Sequence, residues 1–175
     1  MRALLLALAA PLLLAACDGD YVAENAAPAG GYTLEVRADQ GQHVYIVTAP
    51  DGRQTASRVA DGASALLDAS ALQALGAPVE ISAQPEVFGL RLPGVDISVA
   101  ADASDPNAES ATVRINAAGR SVHVDAEEGG PGEGDDRANV RITGASEADV
   151  RDFINEAHDV TPEVRTQMLA AIGLQ

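Results

Sequence analysis

Alternation of apolar and polar positions runs through the middle of the chain. Tyr32 to Ala38 sets Leu34 and Val36 against Thr33, Glu35 and Arg37. A period of two sends successive side chains to opposite faces of a strand, so one face is apolar and the other polar. His43 to Thr48 is rich in β-branched residues, and Gln54 to Val59 predicts a third, shorter strand. Further strands are expected at Val79 to Ala83, Val87 to Leu92 and Val95 to Ala100, the last alternating through Val95, Ile97 and Val99. Ala111 to Asn116 and Ser121 to Asp125 place Val113, Ile115, Val122 and Val124 on one side, and Ala138 to Thr143 repeats the pattern through Val140 and Ile142. Asp39-Gln40-Gly41-Gln42, Pro50-Asp51-Gly52 and Ala117-Ala118-Gly119-Arg120 carry the residue types that close hairpins.

Two segments break this period. Between Asp61 and Gly76, Leu66, Leu67, Leu72 and Leu75 stand among alanines, which predicts a short helix with Ser64 as its N-cap and Gly76 at its end. After Ser146-Glu147-Ala148-Asp149, which has the form of a capping box, Val150, Phe153, Ile154 and Ala157 fall on one helical face. Thr161 and Pro162 open a second helix, whose face continues through Val164, Met168, Ala171 and Ile172 to Gly173. The expected fold is α+β: an antiparallel β-sheet of several short strands arranged as a sandwich or meander, one short inserted helix and a C-terminal αα-hairpin over 146–173. That hairpin is expected to pack on the protein's own sheet.

The first residues differ in kind. Met1-Arg2 is followed by an uncharged run from Ala3 to Ala16, almost all Leu and Ala with Pro11 inside it, and then by Cys17-Asp18-Gly19-Asp20. A positive end, an apolar stretch of roughly a dozen residues and small residues before a cut make a secretion signal, whereas a permanent span needs about 20. Leu14-Ala15-Ala16-Cys17 resembles the lipobox of bacterial lipoproteins. The resemblance covers the leader alone. It implies cleavage before Cys17, a diacylglycerol thioether on that sulfur and a further acyl chain, palmitate among the candidates, on the new amino group. Two or more chains hold a protein stably on a bilayer. It also implies a periplasm-facing protein of the cell envelope, and Asp18 resembles the signal that keeps enterobacterial lipoproteins in the inner membrane. The organisation expected is a signal peptide over 1–16, a lipidated cysteine and flexible tether over 17–31, and one domain over 32–175.

Composition narrows the chemistry. The formal charge is −15, and a surface so acidic repels nucleic-acid phosphates and anionic headgroups, leaving lipid on Cys17 as the membrane contact. All 11 basic residues are arginines, so no P-loop lysine, Schiff-base lysine or Ser-x-x-Lys pair exists. Cys17 is the only cysteine, committed to lipid. Gly62-Ala63-Ser64-Ala65-Leu66 starts like a nucleophile elbow but lacks its final glycine.

One stretch suits a cation. Asp125, Glu127, Glu128, Glu133, Asp135 and Asp136 lie among the glycines of a loop expected over 126–137, and calcium wants many oxygens on a pliable backbone. Gly129 to Gly134 resembles one copy of the calcium-binding β-roll repeat, with Gly134 where that repeat needs Asp. Asp102, Asp105, Asn107 and Glu109 resemble the opening of an EF-hand loop without its glycine or closing glutamate, and read as a loop. His43 and His123 fall at polar strand positions and His158 near a helix end, without metal-ligand spacing. The sequence favours a non-enzymatic binding or scaffolding module that meets an envelope protein, with no cofactor. A calcium-binding module and a hydrolase with a dispersed site are the alternatives.

Overall fold

The computed structural model describes residues 31–76, 86–105, 108–129 and 137–175. They form one antiparallel sheet of nine strands and three short helices. The strands are β1 (Tyr32–Asp39), β2 (Gln42–Thr48), β3 (Gln54–Ala60), β4 (Ala63–Leu66), β5 (Glu86–Leu92), β6 (Val95–Asp105), β7 (Ala108–Ala117), β8 (Arg120–Gly129) and β9 (Arg137–Ala145). Their order across the sheet is β4-β3-β2-β1-β9-β8-β7-β6-β5. The chain thus builds outward from β1 to one edge, resumes at the opposite edge, and returns strand by strand until β9 pairs with β1.

Local chemistry sets the hairpins. Gln40 and Gly41, Asp61 and Gly62, and Ala118 and Gly119 all have positive φ, the geometry of two-residue turns whose twist matches that of the strands they join. Where β9 meets β1, Thr33 faces Thr143 and Tyr32 faces Ala145, which leaves Gly144 as an extra residue with φ +75. This is a bulge that glycine accommodates without strain. A Cβ on Gly31 would come within 2.5 Å of the Gly144 backbone, so small residues are needed on both sides of the bulge.

The three helices all serve the β1–β4 half. α2 (Glu147–Glu156) and α3 (Pro162–Ala171) lie on one face, against β1 and against β3 and β4 respectively. Leu34, Val47 and Val59 of the sheet meet Ile154, Met168 and Ile172 there, in the main core. Each such side chain contributes roughly 1.5–3 kcal/mol by leaving water. α1 (Ala69–Ala74) covers the other face, where Leu67, Leu72 and Leu75 pack on Val44, Ile46 and Ala56. This half is three layers thick. The capping box at α2 is formed as its sequence predicts: Ser146 Oγ accepts from the Asp149 amide at 3.3 Å, and the Asp149 carboxylate accepts from the Ser146 amide at 2.7 Å. The Ser146 hydroxyl, the Ser146 amide and nearby Arg120 hold the Asp149 carboxyl below the usual aspartate value. Thr161 and Pro162 open α3 as expected.

Several expectations need correction. Ser64 is not a helix cap: the Asp61–Gly62 turn folds Ala63–Leu66 back onto β3 as a strand, and Asp68 caps α1 instead by accepting from the Ala71 amide at 2.8 Å. Ala171 is exposed, because Met168 and Ile172 already fill the side of α3 that faces the sheet. Asp102, Asp105 and Glu109 stand on β6 and β7, not in a loop, since the pairing of those strands runs on to Asp105 and Ala108. Likewise β8 continues to Gly129, with Glu127 opposite Arg137, so part of the loop expected over 126–137 is sheet. The strand expected at Val79 to Ala83 lies outside the described residues.

Candidate functional site

One face of the sheet is apolar along its strands, but the helices that cover this face are not spread over all nine. Register fixes the apolar row: Leu34 lies beside Ile142, which lies beside Val122, then Ile115, Ile97 and Leu90. A parallel row runs through Val36, Val140, Val124, Val113, Val99 and Phe88. On the β1 side these rows disappear under α2 and α3. Beyond β9, among the described residues, no element that packs in the main core lies over them. Val113, Ile115, Val122 and Val124 stay partly exposed although each sits in the interior of the sheet. At the edge, Phe88 is 53 % exposed and Leu92 55 %. Apolar surface of this kind is what contact sites on folded domains present.

Beyond the apolar part that α1 covers, the opposite face is polar, and its two most buried carboxylates are paired. Glu35, 6 % exposed at the centre of the sheet, receives Arg141 Nε at 3.1 Å and Arg141 Nη2 at 2.9 Å, and Arg37 Nε contacts its other carboxylate oxygen. Arg37 Nη1 also donates to the carbonyls of Leu75 and Gly76, 3.0 and 3.1 Å away, which satisfies the end of α1. A buried carboxylate is tolerated because two guanidinium groups meet it. Asp125, 4 % exposed, accepts from Thr112 Oγ1 at 2.9 Å, with His123 Nε2 3.1 Å from the same oxygen. The alternation that places Glu35 and Arg37 on the polar face was visible in the sequence; the second arginine partner was not, because Arg141 lies 106 residues away.

The residues singled out from sequence are scattered. Leu14, Ala15, Ala16 and Cys17, and Glu133, Asp135 and Asp136, lie outside the described residues. Asp125 is engaged by Thr112, Glu127 stands between Ser110 and Arg137 on neighbouring strands, and Glu128 is a strand position of β8. Among the described residues no three of His, Cys, Asp or Glu are grouped as a metal site would need. His43 is on the helix-covered face, edge-on to Tyr45 with ring centroids 6.5 Å apart, rather than at a polar position as its sequence context suggests. The reason is that β2 sets His43 in line with Tyr45 and Val47, next to Val59. His123 is on the polar face, and His158 follows α2, with its amide donating to the Tyr45 hydroxyl at 3.1 Å. What the described geometry offers is an apolar surface. Comparison with models of protein families, with curated proteins and with solved structures returned no match.

Proposed function

We propose that this chain is a lipid-anchored protein of the bacterial cell envelope, facing the periplasm, whose folded part is a non-enzymatic binding or scaffolding module. The observation that carries the module's role is the apolar half-face of β5 to β8, which the helices of the same chain leave open. On the other face the buried carboxylates Glu35 and Asp125 are engaged by Arg141 and Thr112, which supports a structural role for them. We read the sheet as two meanders joined back to back at β1 and β9, and α2 with α3 as a helical hairpin that thickens one half only.

The address rests on Leu14-Ala15-Ala16-Cys17, and the acidic surface supports lipid as the membrane contact in place of charge. Growth of cells with labelled palmitate tests it. The expected result is label on the wild-type chain and none on Cys17→Ser. Absence of label from the wild type, or its persistence in the variant, would remove the anchor from this reading.

A further inference from the structure

The open half-face has a shape as well as a chemistry. Four strands at about 4.8 Å spacing and some seven residues of each make a floor roughly 19 Å by 23 Å. It is bounded on one side by α2 and α3, and a helix layer is about 10 Å thick. The surface is therefore a step and not a plane, one layer deep. Sheets stack face to face at about 10 Å, so the layer that fills this step is another sheet.

We propose that the occupant is the same half-face of a second copy of this chain. This rests on the reading of β5 to β8 as a contact surface and names its partner. With a two-fold axis along the strands, midway between β6 and β7 and midway between the layers, each open half lies over the other. Each copy's helices then fall beside the other copy's β5 edge, in the same layer as that edge, and no described element stands in the way. α2, which packs on β1, is the helix nearer the open half, so it meets the partner's β5. Such an interface is isologous, the commonest way for identical chains to pair, and it also covers a strand edge that is unpaired among the described residues.

Charge favours the same partner. From Phe88 to Ala126 the positions on this face read Phe, Leu, Leu on β5, Val, Ile, Val, Ala on β6, Ala, Val, Ile, Ala on β7 and Arg, Val, Val, Ala on β8. The chain carries a net charge of −15, yet these rows hold no carboxylate from Phe88 to Ala126, and the first acidic positions on them, Glu109 and Glu128, face each other beyond the apolar part, at the rim of the contact. A flat bilayer fits less well, because the helix layer would hold it off the floor. In area, a floor of this size is about 440 Å² per partner, roughly half of the ~800 Å² of a standard interface, and the flanks of α2 against β5 add to it.

Adjacent positions on β6 test this. Ile97 and Ser98 point to opposite faces, so Ile97→Cys and Ser98→Cys are made in the full chain, in its own membrane, in cells holding two differently tagged copies. A thiol cross-linker about as long as the ~10 Å gap between stacked sheets is applied. The expected result is a product of twice the chain mass bearing both tags from Ile97→Cys, several-fold above that from Ser98→Cys, and its loss when Val113→Glu is added. Equal yields from the two positions overturn the proposal. An adduct of Ile97→Cys with a different protein overturns the second copy but keeps the contact surface. With no adduct at all, both readings fall, whether a water-soluble maleimide reaches Ile97→Cys as fast as Ser98→Cys, marking a bare face, or much more slowly, marking a face covered by the chain itself.

Discussion

Ile154→Ala is expected to destabilise the domain by about 2–5 kcal/mol, the range for truncating a fully buried branched side chain. Ile154 sits in α2 with no exposed surface, between the sheet and α3, and belongs to the cluster that includes Val47, Val150 and Met168. Removing three carbons there leaves a void that neither layer can close without shifting a helix whose entry is fixed by the Ser146–Asp149 box. Chemical denaturation of the variant against the wild type measures the loss, read from the transition midpoint at constant slope. A loss below 1 kcal/mol would mean that α2 is not docked on the sheet.

Removing the carboxylate at the centre of the sheet is expected to be comparably severe. Glu35→Ala leaves Arg141 and Arg37 facing each other with no anion between them, and breaking a buried charged cluster by deleting one member costs about 3–5 kcal/mol. Both arginines keep some contact with water, so the lower end of that range is expected. A double-mutant cycle separates the causes. Glu35→Leu combined with Arg141→Met should recover part of the stability lost by Glu35→Leu, since only Arg37, which still donates to the Leu75 and Gly76 carbonyls, then lacks its carboxylate, whereas Arg141→Met alone should not. If all three variants were equally unstable, the role of Glu35 would be packing and not charge. Arg37 adds a second consequence: it holds the carbonyls at the end of α1, so its release should also loosen the α1 layer over Val44 and Ile46.

Much of the fold can be read along the chain because its signals are local. A period of two marks eight of the nine strands, with ends that differ by a few residues, and glycine-bearing turns mark most of the hairpins. Both C-terminal helices begin at the caps their residues predict. β4 escapes because Ala63 to Leu66 is apolar and alanine-rich, equally suited to a helix; the Asp61–Gly62 turn before it decides the matter by directing the chain back along β3. Strand order is not local. The pairing of β1 with β9 joins segments about a hundred residues apart, and with it comes the meeting of Glu35 with Arg141. The open half-face is legible in part. Nine strands share an apolar face while the two helices that cover it have ten residues each, so the helices fall short of the sheet. Which half is left bare follows only from knowing that the helices dock beside β1, β3 and β4.

That asymmetry between a covered and an open half is the claim on which the functional reading depends, and Val113→Glu probes it most directly. Val113 lies mid-strand on β7, between Val99 and Val124, in the bare half of the same apolar face that elsewhere buries Val47. The stability of the full chain, measured at high dilution where association is suppressed, should change by no more than about 1 kcal/mol, as for a surface position whose new carboxylate reaches water. A loss as large as that of Ile154→Ala would show the half-face to be interior, and would contradict the account.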